Sequence, residues 1–228
     1  MKIDFDAEKH EYSVGGVKIP SVSEILAPLS ADRYDGLNPW MLKAAAAKGT
    51  AVHEATELMD YGFEPEADQE IEPYLLAYQT FLCEHEVEWE MIEKIVCYQR
   101  FDNEQPLFCG TVDRYGKIDG KKSVLDIKTY ASMSTDALLN ASCQTALYED
   151  AIVQMAGIDN ILEEDGAYSV GRYVLHLRKD GSYRLIDLRD FDQKRCFGSH
   201  SVAWRCYEIH HELTEARKNR KRGKRSEE

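Results

Sequence analysis

The sequence predicts an α/β domain, in which a central mixed β-sheet is flanked by helices and preceded by a helical N-terminal portion. The order of the predicted elements is the first observation: helices, a strand-rich centre, one helix, two strands and a last helix. The second is composition, because 43% hydrophobic residues in a chain of 228 suffice for the core of one domain. That domain is predicted over residues 1–216, with an N-terminal hairpin and helices at 10–86 and the core of the sheet at 87–216.

The N-terminal part is predicted to begin with a hairpin over residues 10–19 that turns at Gly15-Gly16. Residues 21–24, Ser-Val-Ser-Glu, form a capping-box pattern, which favours the start of a helix. The free amide groups of such a start can cradle a phosphate, or the pattern can be a plain cap.

Periodicity and turn residues predict the other elements. These are helices at 39–61 and 70–84, strands at 89–101 and 108–114, a hairpin at 115–128, a helix at 136–155, a hairpin at 167–188 and a final helix at 192–219. Gly49 is expected to interrupt the first of these helices. Asp119-Gly120 is expected to form the turn of the central hairpin, because Asp-Gly favours two-residue hairpin loops.

Charge is unevenly distributed along the chain, whose net charge is −13. Seven basic residues lie in the tail, residues 217–228, which is predicted to be disordered. The acidic remainder argues against a polyanionic partner, although clustered carboxylates can also hold divalent cations. The sequence shows neither a signal peptide nor a membrane span, so a cytoplasmic location without a membrane partner is expected.

Six cysteines are spread through the chain, at positions 83, 97, 109, 143, 196 and 206. They form no C-x-x-C pair and have no suitably spaced histidine pair, so a zinc site is not predicted. In a chain expected to be cytoplasmic, the favoured interpretation is free thiols that are mostly buried.

The central hairpin carries the sharpest functional signal. A two-residue loop at Asp119-Gly120 places Asp113 directly opposite Asp126, where like charges are destabilising unless a cation neutralises them. Lys128 projects from the same face as Asp126, whereas Leu125 and Ile127 project from the other face toward a core. An ordinary solvated hairpin face is the alternative interpretation.

Two carboxylates and a lysine on one face can form a site that cleaves phosphodiesters. Oxygen ligands hold Mg²⁺ or Mn²⁺, and such an ion polarises a phosphate and lowers the pKa of bound water. A neighbouring lysine can orient that water and offset the charge that develops on phosphorus.

Four short motifs resemble the PD-(D/E)XK nuclease superfamily, in particular its RecB-like and phage-type exonuclease branch. Gly-Thr-Val-Asp at 110–113 and Leu-Asp-Ile-Lys-Thr at 125–129 resemble its central G-x-x-D and D-x-K-T motifs. Residues 49–53 resemble its G-x-x-x-H helix, and residues 144–148 its Q-x-x-x-Y helix. Residues 10–26 are similar to the N-terminal part of phage-type and mitochondrial genome maintenance exonucleases. The motif proline is absent.

The resemblance implies a restriction-endonuclease-like fold with its catalytic core at 87–216. It also implies that Mg²⁺ or Mn²⁺ is bound by His53, Asp113, Asp126 and the backbone carbonyl of Ile127. Asp113, Asp126 and Lys128 are then the catalytic residues. Viewed alone, a single histidine on a helix is more often structural.

Five further residues are candidates for supporting roles. Gln144 and Tyr148 share one helix face, where the amide can bind phosphate and the ring can stack on a base; helix packing is the alternative. Ser21 and Ser23 are candidate DNA contacts from the resemblance of their segment. Glu93 is a candidate extra acid near the metal.

The function predicted is therefore a metal-dependent DNA exonuclease of phage or prophage recombination, replication or repair. Its partners are expected to be single-stranded DNA or duplex ends, and a recombination or replication protein is a candidate. Some relatives bind an iron–sulfur cluster through four cysteines, several of them close together near the C-terminus. This chain lacks that close group of C-terminal cysteines, so no iron–sulfur cluster is predicted. The alternatives are a catalytically silent nucleic-acid-binding or assembly module with the same fold, and an acidic protein that binds partners through its basic tail.

Overall fold

The structure, a computed structural model, describes residues 2–7, 9–29, 36, 38–66, 68–99, 106–156, 170–189, 205–212 and 214. It is an α/β fold with a mixed five-stranded sheet flanked by helices, and it has a small three-stranded sheet at the N-terminus. The elements are β1 (Asp4–Asp6), β2 (Glu11–Val14), β3 (Val17–Ile19), α1 (Val22–Leu26), α2 (Pro39–Asp60), α3 (Glu72–Glu84), β4 (Val87–Gln99), β5 (Pro106–Ile118), β6 (Lys121–Lys128), α4 (Thr135–Ala156), β7 (Gly171–Leu177) and β8 (Tyr183–Asp187).

The large sheet has the strand order β4-β5-β6-β7-β8. Neighbouring strands are antiparallel except for β6 and β7, which are parallel and are connected through α4. Helix α4 therefore crosses one face of the sheet and contacts β4, β5, β6 and β7. The predicted mixed sheet flanked by helices is confirmed.

The small sheet contains the predicted hairpin, β2 and β3, and one strand that was not predicted. β1 adds to β2 through Asp4–Asp6, a segment of three exposed residues that is too short to give an alternating hydrophobic signal. The segment after β3 continues onto the large sheet, because Cys109 of β5 donates its backbone N–H to the carbonyl of Pro20 at 3.0 Å. The small sheet is thereby attached to the strand that carries Asp113.

Helix α2 runs without a break through Gly49, so the predicted interruption there is wrong. Its start is well specified, because the Asn38 side chain accepts from the N–H of Trp40 and Pro39 occupies the first turn. One glycine costs about 1 kcal/mol in a helix, too little to break 22 residues whose inner face packs on the sheet. The continuous helix carries His53 and Asp60 on one rigid element.

Hydrophobic clusters cover both faces of the large sheet. The cluster beneath α2 and α3 includes Leu125 and Ile127, which are fully buried and confirm the predicted core face of the central hairpin. Tyr74, Tyr78 and Phe81 of α3 also lie in this cluster, as their helical spacing predicts. A second cluster lies beneath α1 and α4.

The central hairpin has the predicted turn. Asp119 and Gly120 connect β5 and β6 with φ values of +51° and +78°, which suit a two-residue hairpin loop. The register runs from Ile118–Lys121 to Arg114–Leu125. The predicted strand 108–114 and the first strand of the hairpin predicted at 115–128 form one continuous strand, β5.

Cys97 and Cys109 form a disulfide between β4 and β5, so the prediction of free thiols is wrong for these two residues. They are direct partners in the strand register. Their spacing in the sequence has no motif, because only the register of two long strands brings them together. Cys83, Cys143 and Cys206 carry thiols.

The C-terminal part is described only in pieces. Residues 205–212 and 214 are helical, in agreement with the predicted final helix, and the rest of 192–219 and the tail 217–228 lie outside the described residues. Cys196 lies outside them as well. In the part of the chain that is described, no helix is both long enough and apolar enough to cross a membrane.

Candidate active site

The candidate site lies where β5 and β6 stop pairing. The backbone register ends at Arg114–Leu125, one pair short of the predicted pairing between Asp113 and Asp126. Instead, the Asp113 carboxylate accepts the backbone N–H of Ile127 at 2.7 Å. The Asp113 side chain thus accepts the hydrogen bond that a backbone carbonyl of β5 would otherwise accept. Both aspartates are almost fully buried where β5 and β6 stop pairing.

His53, Glu93 and Asp113 form a cluster whose potential ligand atoms all lie within 4.8 Å of one another. The Nδ1 atom of His53 lies 3.1 Å from Glu93 Oε1 and 3.8 Å from Asp113 Oδ2. Its Nε2 atom lies 3.2 Å from the carbonyl oxygen of Ile127. The structure therefore brings His53 and Asp113 together with the candidate extra acid Glu93. The predicted Ile127 carbonyl faces the other ring nitrogen of His53, and the predicted ligand Asp126 is not a member of this cluster.

Glu93 reaches the cluster from an unusual backbone conformation. Its φ is +45°, in the left-handed region that non-glycine residues rarely adopt, and a register irregularity lies nearby between Trp89 and Met91. Strained conformations of this kind persist where the surroundings enforce them. Nothing in the local sequence indicates this bend.

Asp126 and Lys128 lie beside the cluster as a close pair. The Lys128 ammonium donates to Asp126 Oδ1 at 2.7 Å, and among the described residues nothing donates to the buried Oδ2 atom. Burial raises the pKa of Asp126 to about 6, although Lys128 opposes the shift. Burial acts to lower the pKa of Lys128, but Asp126 and Asp113 outweigh it and the pKa is raised. A buried carboxylate oxygen without a partner is a ready position for a cation ligand.

Gln144 and Tyr148 of α4 extend the site on the other side of Lys128. Gln144 Oε1 accepts from the Lys128 ammonium at 3.3 Å, and its Nε2 donates to the Tyr148 hydroxyl at the same distance. Tyr148 is buried, and a Cβ atom at Gly110 would lie 2.6 Å from its ring. The ring therefore presents no open face to a base in this conformation, and its packing against Gly110 favours the alternative interpretation.

Ser21 and Ser23 occupy the start of α1. The capping box is present: Ser21 Oγ accepts from the Glu24 N–H at 3.0 Å, and Glu24 accepts from the Ser21 N–H at 2.9 Å. The Ser21 side chain is therefore engaged in the cap, whereas Ser23 is exposed.

A buried arginine beneath the cluster was not among the predicted site residues. Arg114 follows Asp113 directly, its side chain is 0% exposed, and it forms an ion pair with Asp60. The sequence gives only a weak signal for this role. Side chains alternate between the two faces of a strand, so Arg114 is expected on the face opposite to Asp113, but alternation does not identify its partner. Asp60 is 54 positions away in the sequence, and no pattern connects the two.

The pKa of His53 gives a first testable prediction. Burial acts to lower this pKa, but the carboxylates of Asp113 and Glu93 outweigh it and raise it to about 9. The imidazole is therefore protonated at pH 7, and a divalent cation must displace that proton to bind the ring nitrogen. We expect Mn²⁺ affinity to increase between pH 6.5 and 8.5, by up to about tenfold per unit.

Calorimetry in buffers of different ionisation enthalpy would measure both the affinity and the proton release. His53→Gln is the control, because it cannot release this proton and should show a flatter dependence. An affinity that is the same at pH 6.5 and 8.5 would contradict a role for His53 as ligand.

Comparison of the chain with protein-family models found no match, and comparison with curated proteins found none either. The chemistry of the site is therefore inferred from its own residues.

Proposed function

We propose that the chain is a metal-dependent deoxyribonuclease with a restriction-endonuclease-like fold, similar to the PD-(D/E)XK superfamily. One observation carries the proposal: the buried Asp126, with one oxygen on Lys128 and the other without a partner among the described residues, adjoins the His53–Glu93–Asp113 cluster. The strand order supports it, since the antiparallel strands β4, β5 and β6 are followed by a helical crossover to a parallel strand.

The donor set fits Mg²⁺ or Mn²⁺. It consists of carboxylate oxygens, one backbone carbonyl and one imidazole, and such hard ligands suit these ions, with the imidazole favouring Mn²⁺. His53, Glu93 and Asp113 would hold the ion, and the Oδ2 atom of Asp126 and the carbonyl of Ile127, which lie beside this cluster, would be further oxygen ligands. When bound, it polarises the phosphate and lowers the pKa of a water molecule.

Lys128 has a role of its own in the proposed reaction. Because Asp126 and Asp113 raise its pKa, its ammonium stays protonated and acts as a hydrogen-bond donor rather than as a general base. Its position between Asp126 Oδ1 and Gln144 Oε1 fixes the direction of its remaining N–H. A fixed positive donor stabilises charge that develops on a phosphate oxygen in the transition state.

The narrower assignment to an exonuclease depends on the motifs at 10–26, 49–53 and 144–148. These resemble the phage-type branch, and they support DNA ends, single-stranded or duplex, as substrate. They also support a setting in phage or prophage recombination, replication or repair, with a recombination or replication protein as partner.

The test is an assay with end-labelled single-stranded and duplex DNA in Mn²⁺ or Mg²⁺. We expect metal-dependent degradation, and a ladder of products from one labelled end would establish exonucleolytic action and its polarity. Asp126→Asn keeps the size of the side chain but removes the charge with which it would hold the ion, so cleavage should fall by about 10²-fold or more. Asp136→Asn, at an exposed position on α4, is the matched control and should cleave normally.

Two outcomes would contradict the proposal. Equal cleavage by wild type and Asp126→Asn would place the activity elsewhere. DNA binding without cleavage in either metal would favour the catalytically silent binding module.

A further inference from the structure

We propose that Arg114 is a positioning residue of the metal centre, and that Asp60 is its anchor. The inference rests on the proposed function, and it assigns to a buried ion pair the task of holding the ligands in place. It does not require Arg114 to contact the metal or the substrate.

The guanidinium of Arg114 is fully buried and uses three nitrogens as donors. Its Nε donates to Asp60 Oδ2, and its Nη1 donates to Glu93 Oε1 at 3.0 Å and to the carbonyl of Asp113 at 2.7 Å. Its Nη2 donates to Thr56 Oγ1 at 3.2 Å. A planar guanidinium makes such contacts in fixed relative directions, which an ammonium cannot do.

The contacts of Nη1 and Nη2 connect Arg114 to each of the three members of the cluster. Glu93 is held through its carboxylate, and Asp113 through its own backbone carbonyl. His53 is reached through Thr56, whose hydroxyl donates to the His53 carbonyl at 3.0 Å. One side chain therefore connects ligands from α2, β4 and β5, which are otherwise carried by separate elements. Partners of this kind orient metal ligands and affect affinity.

Asp60 fixes the position of Arg114 in the core. Its carboxylate is 1% exposed and accepts from the Tyr78 hydroxyl at 2.7 Å and from Trp89 Nε1 at 3.0 Å, in addition to Arg114. These donors fix its orientation in the core. Asp60 therefore holds the guanidinium at the position from which it contacts Glu93 and the carbonyl of Asp113.

A purely structural ion pair makes a different prediction. Loss of a buried pair would lower the stability of the fold, but the metal affinity of the protein that remains folded would not change. A measurement of metal affinity therefore distinguishes a residue that positions the ligands from one that only stabilises the fold. The chain also offers a matched control. Arg172, on β7, is a buried arginine that is paired with Glu149 at 3.1 Å.

The experiment compares the Mn²⁺ dissociation constant of Arg114→Lys, Asp60→Asn and Arg172→Lys with that of wild type. Calorimetry would be used on protein whose folding is verified by thermal unfolding. We expect binding about 10–100-fold weaker in Arg114→Lys and Asp60→Asn, as found for partners that orient ligands. Arg172→Lys should lower the unfolding temperature but bind Mn²⁺ as wild type does.

Folded Arg114→Lys with the wild-type dissociation constant would overturn the inference. If Arg114→Lys does not fold, the Mn²⁺ dissociation constant of the near-isosteric Asp60→Asn variant decides instead, and a wild-type value would overturn the inference. Equal weakening in Arg172→Lys would also overturn it, because general destabilisation would then explain the effect. Wild type that binds no Mn²⁺ would instead overturn the proposed function, so the two failures are distinguishable.

Discussion

Replacement of Lys128 by methionine is expected to slow DNA cleavage by about 10²–10³-fold while Mn²⁺ binding is kept. The Lys128 side chain is 15% exposed and its ammonium donates to Asp126 and Gln144, so it is held beside the carboxylate that is expected to bind the ion. Loss of a fixed donor to a transition-state oxyanion typically costs about 10²–10³-fold in kcat. Removal of the positive charge from the neighbourhood of Asp126 should leave Mn²⁺ affinity equal or higher.

Single-turnover cleavage at saturating Mn²⁺ and calorimetric metal binding would measure the two effects separately. Lys122→Met is the matched control on the same strand, where Lys122 pairs with Glu90 at the surface. A Lys128→Met protein that binds Mn²⁺ and cleaves within about threefold of wild type would exclude the catalytic role, because a lost transition-state donor costs far more.

The largest loss of stability is expected from Gly116→Ala. A Cβ atom at this position would lie 2.0 Å from the carbonyl oxygen of Glu88 and 2.8 Å from Cα of Trp89. Both are backbone atoms of the adjacent strand, so relief requires β4 and β5 to move apart. We expect the free energy of unfolding to fall by about 3 kcal/mol or more, at the upper end for overpacking.

Urea denaturation of the variant beside Gly49→Ala would test this expectation. Gly49 is inside α2, and an added Cβ would meet only Thr129 Oγ1 at 3.9 Å. Alanine is favoured over glycine in a helix, so this substitution should stabilise the fold by about 0.5–1 kcal/mol. A Gly116→Ala protein as stable as wild type would mean that β4 and β5 are farther apart at this point.

The elements that could be predicted from the sequence are those with local signals. The turn at Asp119-Gly120 determines the register of β5 and β6, and alternation from that turn correctly assigns Leu125 and Ile127 to the core. The side-chain contact between Lys128 and Asp126 follows from the same alternation.

The rest of the candidate site depends on contacts between distant elements. Glu93 joins the cluster through a left-handed backbone conformation that its sequence does not indicate. The end of pairing beyond Arg114 depends on how the Asp113 carboxylate captures the N–H of Ile127. The link from Arg114 to Asp60 exists only after α2 has packed on the sheet.

The disulfide between β4 and β5 has a mechanical consequence for this centre. Cys97 and Cys109 are paired four residues from Glu93 and Asp113 respectively, and the close approach at Gly116 lies on the other side of the acids. The strand segment that carries Glu93 and Asp113 is thus clamped at both ends. The two carboxylates therefore cannot separate by movement of the strands, and the charge that balances them has to come from neighbouring groups, Arg114 and the protonated His53, or from a bound cation.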